Sequence, residues 1–185
     1  MSEVRMDSKR AAANSPIALC HVVFYTKQFE AMVTWYCQVL DAYPVMRNDR
    51  IAFLTYDEEH HRIAIVRKDE LVDRPRNCVG FAHVAFGFDR LEDLVTAYSR
   101  LKARGIDPVW EINHGVTTSL YYEDPDRNRV ELQVDNFPTL DALNDWFASG
   151  AFDRNPIGVD IKFDDLVERL SRGESADRLR SPLSH

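Results

Sequence analysis

The residues best suited to chemistry in this chain are histidines, and five of the six fall inside one patterned stretch. His21 stands in the run Cys20-His21-Val22-Val23-Phe24, and His83 stands 62 residues later in Ala82-His83-Val84-Ala85-Phe86. Imidazole binds first-row divalent metals well, but two ligands hold an ion weakly, so a third should exist. Glu131 is the candidate: its neighbours Val130 and Leu132 are apolar and, in a strand, project from the opposite face. Two imidazoles and one carboxylate, with coordination positions left open, form the ligand set of non-haem Fe(II) sites that handle oxygen. Mn(II) accepts the same donors, so the residue types leave the choice of ion open.

A lone strand histidine is usually a packed or solvated residue. His21 and His83 rise above that reading because they occupy the same place in two copies of one pattern, and halves packed about a two-fold axis would bring both rings toward it. His60-His61 precedes the last strand-like run of the first half, and His114 lies near the third of the second. Strand alternation predicts that only one of the adjacent pair faces a cleft. His61 shares its parity with Ile63 and Ile65 and is the one selected. A neutral imidazole there can take and return a proton near neutral pH.

The elements that must position these side chains come from an internal repeat. At the same offset Glu30 aligns with Glu92, Val33 with Val95, Thr34 with Thr96 and Tyr36 with Tyr98. Each copy opens with a β-branched and aromatic run, followed by apolar residues at helical spacing. These are Met32, Val33, Tyr36, Val39 and Leu40, then Leu91, Leu94, Val95, Tyr98 and Leu101, with Gly105 as a left-handed stop. Further strands are predicted at Tyr43–Arg47, Ile51–Tyr56 and Arg62–Arg67, and at Pro108–Ile112, Ser119–Tyr122 and Arg129–Val134. Two β-α-β-β-β modules, residues 17–74 and 79–136, thus make an α+β domain over 16–136 whose two curved sheets enclose a metal-binding cleft. The first-half counterpart of Glu131 falls at Ala64 or Ile65, neither of which binds metal.

Residues 1–15 read as a flexible arm, and 137–185 as a helical extension with a frayed end. Helices are predicted at Phe137–Ala148 and Phe163–Leu170, with a turn at Asn155-Pro156-Ile157-Gly158. The extension could lid a cleft or cover a subunit interface. A net charge of −7 with scattered basic residues argues against nucleic acid as a partner. No apolar run reaches the roughly eighteen residues of a membrane span. Cys20, Cys37 and Cys78 lack paired spacing and read as buried free thiols, which fits a cytoplasmic location. Phe24, Trp35, Tyr36, Phe53, Phe81, Phe86 and Trp110 read mostly as core.

With these residues in place, the chain resembles the vicinal oxygen chelate superfamily, and within it the one-domain type I extradiol ring-cleavage dioxygenases. That family's signature is a histidine, five to seven residues, an apolar residue and Tyr, then Asp-Pro, then a glutamate ligand. His114, Leu120, Tyr121, Asp124, Pro125 and Glu131 match it in order and spacing. Arg127 departs from the pattern, standing where the family usually has Gly, and Asn128 is expected to adopt the positive φ instead. The resemblance covers Ile17 to Asn136, and more weakly the tail from Trp146 through Gly158.

The resemblance implies metal ligands His21, His83 and Glu131, an acid–base role for His61, and hydrogen bonding to substrate or oxygen by His114 and Tyr121. It implies a catechol-type substrate, O2 as co-substrate, Fe(II) with Mn(II) as the alternative, and ring opening beside the diol. A homo-oligomer is expected, with the site completed within one chain or by exchange of halves. Two rivals share the fold. A glyoxalase-type lyase or isomerase generally takes a fourth protein ligand from the first half, where Ala64 and Ile65 offer none. A metal-free small-molecule binding protein would leave the histidines and Glu131 idle.

Overall fold

The computed structural model describes residues 16–75 and 78–181; the expected arm at 1–15 and the last four residues lie outside the described residues. The first repeat folds as β1 (Val22–Thr26), α1 (Phe29–Leu40), β2 (Tyr43–Arg47), β3 (Ile51–Thr55) and β4 (Ile63–Arg67). The second folds as β5 (His83–Phe88), α2 (Leu91–Lys102), β6 (Trp110–Asn113), β7 (Thr117–Glu123) and β8 (Arg129–Asp135). The tail adds α3 (Leu140–Ala148), α4 (Ala151–Arg154), β9 (Val159–Asp160), α5 (Phe163–Ser171) and α6 (Ala176–Leu179). The chain is α+β, with one β-α-β-β-β module per repeat, as the sequence pattern predicts.

Packing divides the chain into two compact units. One runs up to His83 and takes in Glu123–Arg129; the other comprises Val84–Tyr122 and the chain from Val130 onward. In the first, a four-stranded sheet has the order β1-β4-β3-β2. β1 and β4 run parallel with Val22 opposite Ile63, while β3 is antiparallel to both its neighbours. Helix α1 buries Phe29, Met32, Val33, Tyr36 and Val39, the single apolar face that helical spacing creates, and packs on β4 and β3. Pro44 sits in edge strand β2, where a missing N–H is tolerated, and the register slips between it and Met46.

The turn Glu123–Arg129 closes on this first unit. Gln28 Nε2 donates to the Pro125 carbonyl (2.9 Å) and to Asp126 Oδ1 (2.8 Å), and the Tyr36 hydroxyl donates to Asp124 Oδ2 (3.0 Å). The turn corrects one expectation. Arg127 itself takes the left-handed conformation, at φ 65°, and Asn128 does not. Asn128 is committed elsewhere: its backbone N–H and its side-chain amide both donate to the Asp124 carboxylate.

In the second unit the five-stranded sheet has the order β5-β8-β7-β6-β9. β8 is covered on both faces, so Val130, Glu131, Leu132 and Val134 are all buried. Helix α2 ends with Gly105 at φ 72° and the Ile106 N–H on the Leu101 carbonyl (3.0 Å), a left-handed termination. Helix α5 packs against α2, burying Phe163 and Leu166, and Phe163 lies 5.0 Å from the Tyr98 ring. Within the described residues the tail continues beyond α5 into α6. Leu179 of α6 is buried, and Asn113 Nδ2 donates to the Ser181 carbonyl (3.2 Å).

The three cysteines are free, but only Cys37 is even partly buried. Cys20 and Cys78 lie in the segments leading into β1 and β5, outside the sheets, so they are exposed rather than buried. Among the described residues no helix is long and apolar enough to cross a membrane.

The strain at Arg127 can be measured. A left-handed non-glycine residue costs about 1–2 kcal/mol, while glycine brings a backbone-entropy cost of about 0.5–1 kcal/mol. Arg127→Gly is therefore expected to leave urea stability unchanged or raise it by up to about 1 kcal/mol. Arg127→Val, β-branched, is expected to lower it by at least about 1 kcal/mol. Equal stabilities for the two variants would show that the turn does not impose this conformation.

Candidate functional site

His21 is exposed and sits immediately before β1 rather than inside it. Its approach is fixed by Arg62, whose guanidinium donates to the Leu19 carbonyl (3.0 Å) and the Cys20 carbonyl (3.3 Å). Arg62 is held in turn by Asp57 at 2.9 Å. The parallel pairing of β1 with β4 then brings the His21 ring to 4.4 Å from the ring of His61. Phe53, from β3, stacks on His61 at 4.3 Å and 13°.

His61 is 8% exposed. Its Nδ1 lies 2.6 Å from His60 Nδ1, so one of the two nitrogens donates a proton to the other. His61 is buried while His60 is exposed, yet the two rings still touch. Both residues precede β4 in an irregular turn, where strand alternation does not operate. Burial, with the neighbouring His21 and His60, holds the His61 pKa below its ordinary 6.5, and Glu59 opposes this only in part. The ring is therefore neutral at neutral pH and can accept a proton.

His83 is the first residue of β5 and is exposed, whereas Glu131, at the centre of its stretch of β8, is 4% exposed. Among the described residues no three His, Cys, Asp or Glu side chains are gathered so as to hold a metal ion. The ligand set of His21, His83 and Glu131 accordingly rests on the sequence.

The second cluster forms where β6 turns into β7. Trp110 and Tyr121 are cross-strand partners, and the chain reverses through His114, Gly115 and Val116. A buried amide network shapes the corner. Asn113 Oδ1 accepts from the Gly115 N–H (2.8 Å) and from Asn136 Nδ2 (3.0 Å), and Thr118 donates to Asn136 Oδ1 (2.8 Å). Gly115 has φ 85°, and a Cβ there would fall 2.6 Å from the Trp146 ring, so no side chain fits.

This corner places His114 Nε2 3.0 Å from the Tyr121 hydroxyl, joining two of the predicted residues by a hydrogen bond. Trp110 stacks on Tyr121 at 4.9 Å and presents its edge to His114 at 5.4 Å. Trp110 therefore belongs to the site environment, although its composition suggested core. The signal that could have found it is its register opposite Tyr121. Two open clefts, of about 300 and 390 Å³, are lined by residues such as Lys27, Arg74, Asp126 and Arg127 and hold none of the predicted site residues.

The family model described as Glyoxalase/Bleomycin resistance protein/Dioxygenase superfamily matches residues 18–132. The chain belongs to this superfamily. Two curated relatives from Rhodococcus globerulus are each 46% identical to this superfamily member. Biphenyl-2,3-diol 1,2-dioxygenase 2 aligns over 161 residues, covering 86% of this chain and 84% of the relative. Biphenyl-2,3-diol 1,2-dioxygenase 3 aligns over 157 residues, covering 84% and 83%. The solved glyoxylase/bleomycin resistance protein/dioxygenase domain from Frankia sp. EAN1pec superimposes with a TM-score of 0.56 at 18% identity. It covers 68% of this chain and 96% of that one, a likeness of fold alone. All six predicted site residues of this superfamily member lie inside the matched span.

The depressed His61 pKa has a signed consequence for the metal-free chain. The unfolded chain binds this proton more readily than the folded one. His61's contribution to stability is thus complete above the ordinary 6.5 and is lost as pH falls through it toward the folded value. By nuclear magnetic resonance, His61 is expected to titrate below 6.5 and to move upward in His60→Ala. The stability of His61→Gln should fall less than wild type between about pH 7 and pH 5. A His61 that titrates at or above its ordinary value would contradict the neutral assignment.

Proposed function

We propose that this chain is an extradiol ring-cleaving dioxygenase that inserts O2 into a catechol-type diol beside its two hydroxyls. The observation that carries this reading is the hydrogen-bonded His114–Tyr121 pair, standing at the signature spacing in a chain whose relatives bear the name biphenyl-2,3-diol dioxygenase. We assign the metal to His21, His83 and Glu131. As donors, two imidazoles and a carboxylate fit Fe(II), with Mn(II) as the alternative. When bound, such an ion lowers the pKa of a coordinated hydroxyl and supplies the one-electron chemistry that O2 requires.

The chain's own residues supply the rest. His61 is held neutral, and its Nδ1 is engaged by His60, so with the shared proton on that nitrogen its Nε2 keeps the lone pair. That atom is the one we assign to accept a catechol proton and to return it later. We assign Tyr121 and His114, joined to each other by a hydrogen bond, to position the diol at the site. The first-repeat counterpart of Glu131 bears on the lyase alternative. Ala64 and Ile65 are both apolar and buried in β4, so neither offers a fourth ligand.

Anaerobic loading with Fe(II) or Mn(II), followed by a panel of catechols in air, tests the reading. A coloured ring-opened product is expected, and no consumption of any catechol with either metal would overturn it. His61→Ala is expected to keep its metal while kcat falls by roughly 100-fold or more. Loss of metal in that variant would refute the proton-transfer role.

A further inference from the structure

The segment after α4 makes an unusually close approach to the β6–β7 corner. Its strand β9 pairs antiparallel with β6, Val159 opposite Asn113 and Asp160 opposite Ile112. Trp110 Nε1 donates to Asp160 Oδ1 (2.8 Å), and the Ile161 N–H donates to the Glu111 carbonyl (3.1 Å). Gly158 has φ 107°, and a Cβ there would lie 2.2 Å from the Asn113 carbonyl oxygen and 2.6 Å from His114 Cα. Only glycine lets the two backbones come this near. Asn155 grips the same residue from both sides, donating to the Gly158 carbonyl (2.9 Å) and accepting from its N–H (3.0 Å).

The result of this approach is a contact with His114. The Ile157 carbonyl lies 2.5 Å from His114 Nδ1, while His114 Nε2 lies 3.0 Å from the Tyr121 hydroxyl. A carbonyl can only accept, so His114 must carry a proton on Nδ1. The Ile157 side chain is exposed, so it is the backbone of this residue that faces the site. A neutral imidazole with Nδ1 protonated keeps its lone pair on Nε2, where the Tyr121 hydroxyl can donate to it.

We propose that Asn155–Asp160 is a positioning element for the His114–Tyr121 pair, with the Ile157 carbonyl fixing His114 as its Nδ1–H tautomer. The extension thereby sets the direction of the hydrogen bond that Tyr121 makes, and with it which polar atom the pair presents. The inference rests on the dioxygenase reading for its catalytic consequence, but the tautomer itself does not depend on any reaction.

The test uses the full chain labelled with 15N at histidine, with His114 assigned by the loss of its signal in His114→Gln. Long-range 1H–15N correlations are expected to show a protonated Nδ1 and an unprotonated Nε2 in the wild type. Free neutral imidazole prefers the opposite form. In Gly158→Ala the added Cβ should force the segment off the corner, and His114 should move toward the Nε2–H form. If that variant does not fold, Asn155→Ala, which only loosens the grip on Gly158, decides the matter by the same shift. With the Fe(II)-loaded chain and a catechol, either variant should lose about tenfold in kcat with KM changed less than about twofold. An Nε2–H wild type, a tautomer unmoved in both folded variants, or an unchanged kcat alongside a shifted tautomer would overturn the proposal. A wild type that turns over no catechol while showing the Nδ1–H form would instead count against the dioxygenase reading.

Discussion

The carboxylate of Asp124 is buried at 3% exposure and accepts four hydrogen bonds: from the Tyr36 hydroxyl, the Asp126 and Asn128 N–H groups and the Asn128 side chain. Burial outweighs these donors and holds the carboxyl above its usual range, while burial and the nearby Asp124 push the Tyr36 hydroxyl up as well. Each buried donor left without its acceptor would cost about 1–3 kcal/mol. The turn has little freedom to take another shape, which explains why Arg127 accepts a conformation that suits glycine. Because the turn joins β7 to β8, its length sets the interval between Tyr121 and Glu131 along the chain.

The same economy appears at the β6–β7 corner, where Asn113, Asn136 and Thr118 satisfy one another and the backbone of Gly115. A polar network that is complete fixes one geometry, since any slip exposes several unmade bonds together. Two close approaches then lock the corner from outside, Trp146 against Gly115 and Gly158 against Asn113 and His114. The C-terminal extension thus contributes structure to the site through its backbone and one indole, without supplying any of the six residues read as chemical from the sequence.

Much of the fold was legible because it depends on period and repetition. The helical spacing of Met32, Val33, Tyr36 and Val39, and of Leu91, Leu94, Tyr98 and Leu101, marks faces that the structure buries. The two-residue strand β9 carries no period of its own and exists only through its pairing with β6, so no sequence pattern marks it. The requirement for glycine at 115 and 158 comes from distant parts of the chain, which spacing cannot reveal. The His60–His61 contact was hidden for a related reason. Alternation applies to strands, and these residues lie in a turn. Of the site residues, the motif groups His114 with Tyr121 and the repeat relates His21 to His83, but the His114–Tyr121 hydrogen bond and the His21–His61 contact come from the fold. Trp110 could not be told from core by residue type alone.

The reading of this superfamily member as a ring-cleaving oxygenase places its acid–base chemistry on a buried neutral histidine and its substrate positioning on a paired tyrosine and histidine. The most direct measurement is the stoichiometry of oxygen uptake by the Fe(II)-loaded chain on a catechol, with the carbon skeleton of the product determined alongside. The account predicts one O2 consumed per catechol and a ring opened at the bond adjacent to the diol. An intact ring, or oxygen consumed only to form a quinone, would contradict it.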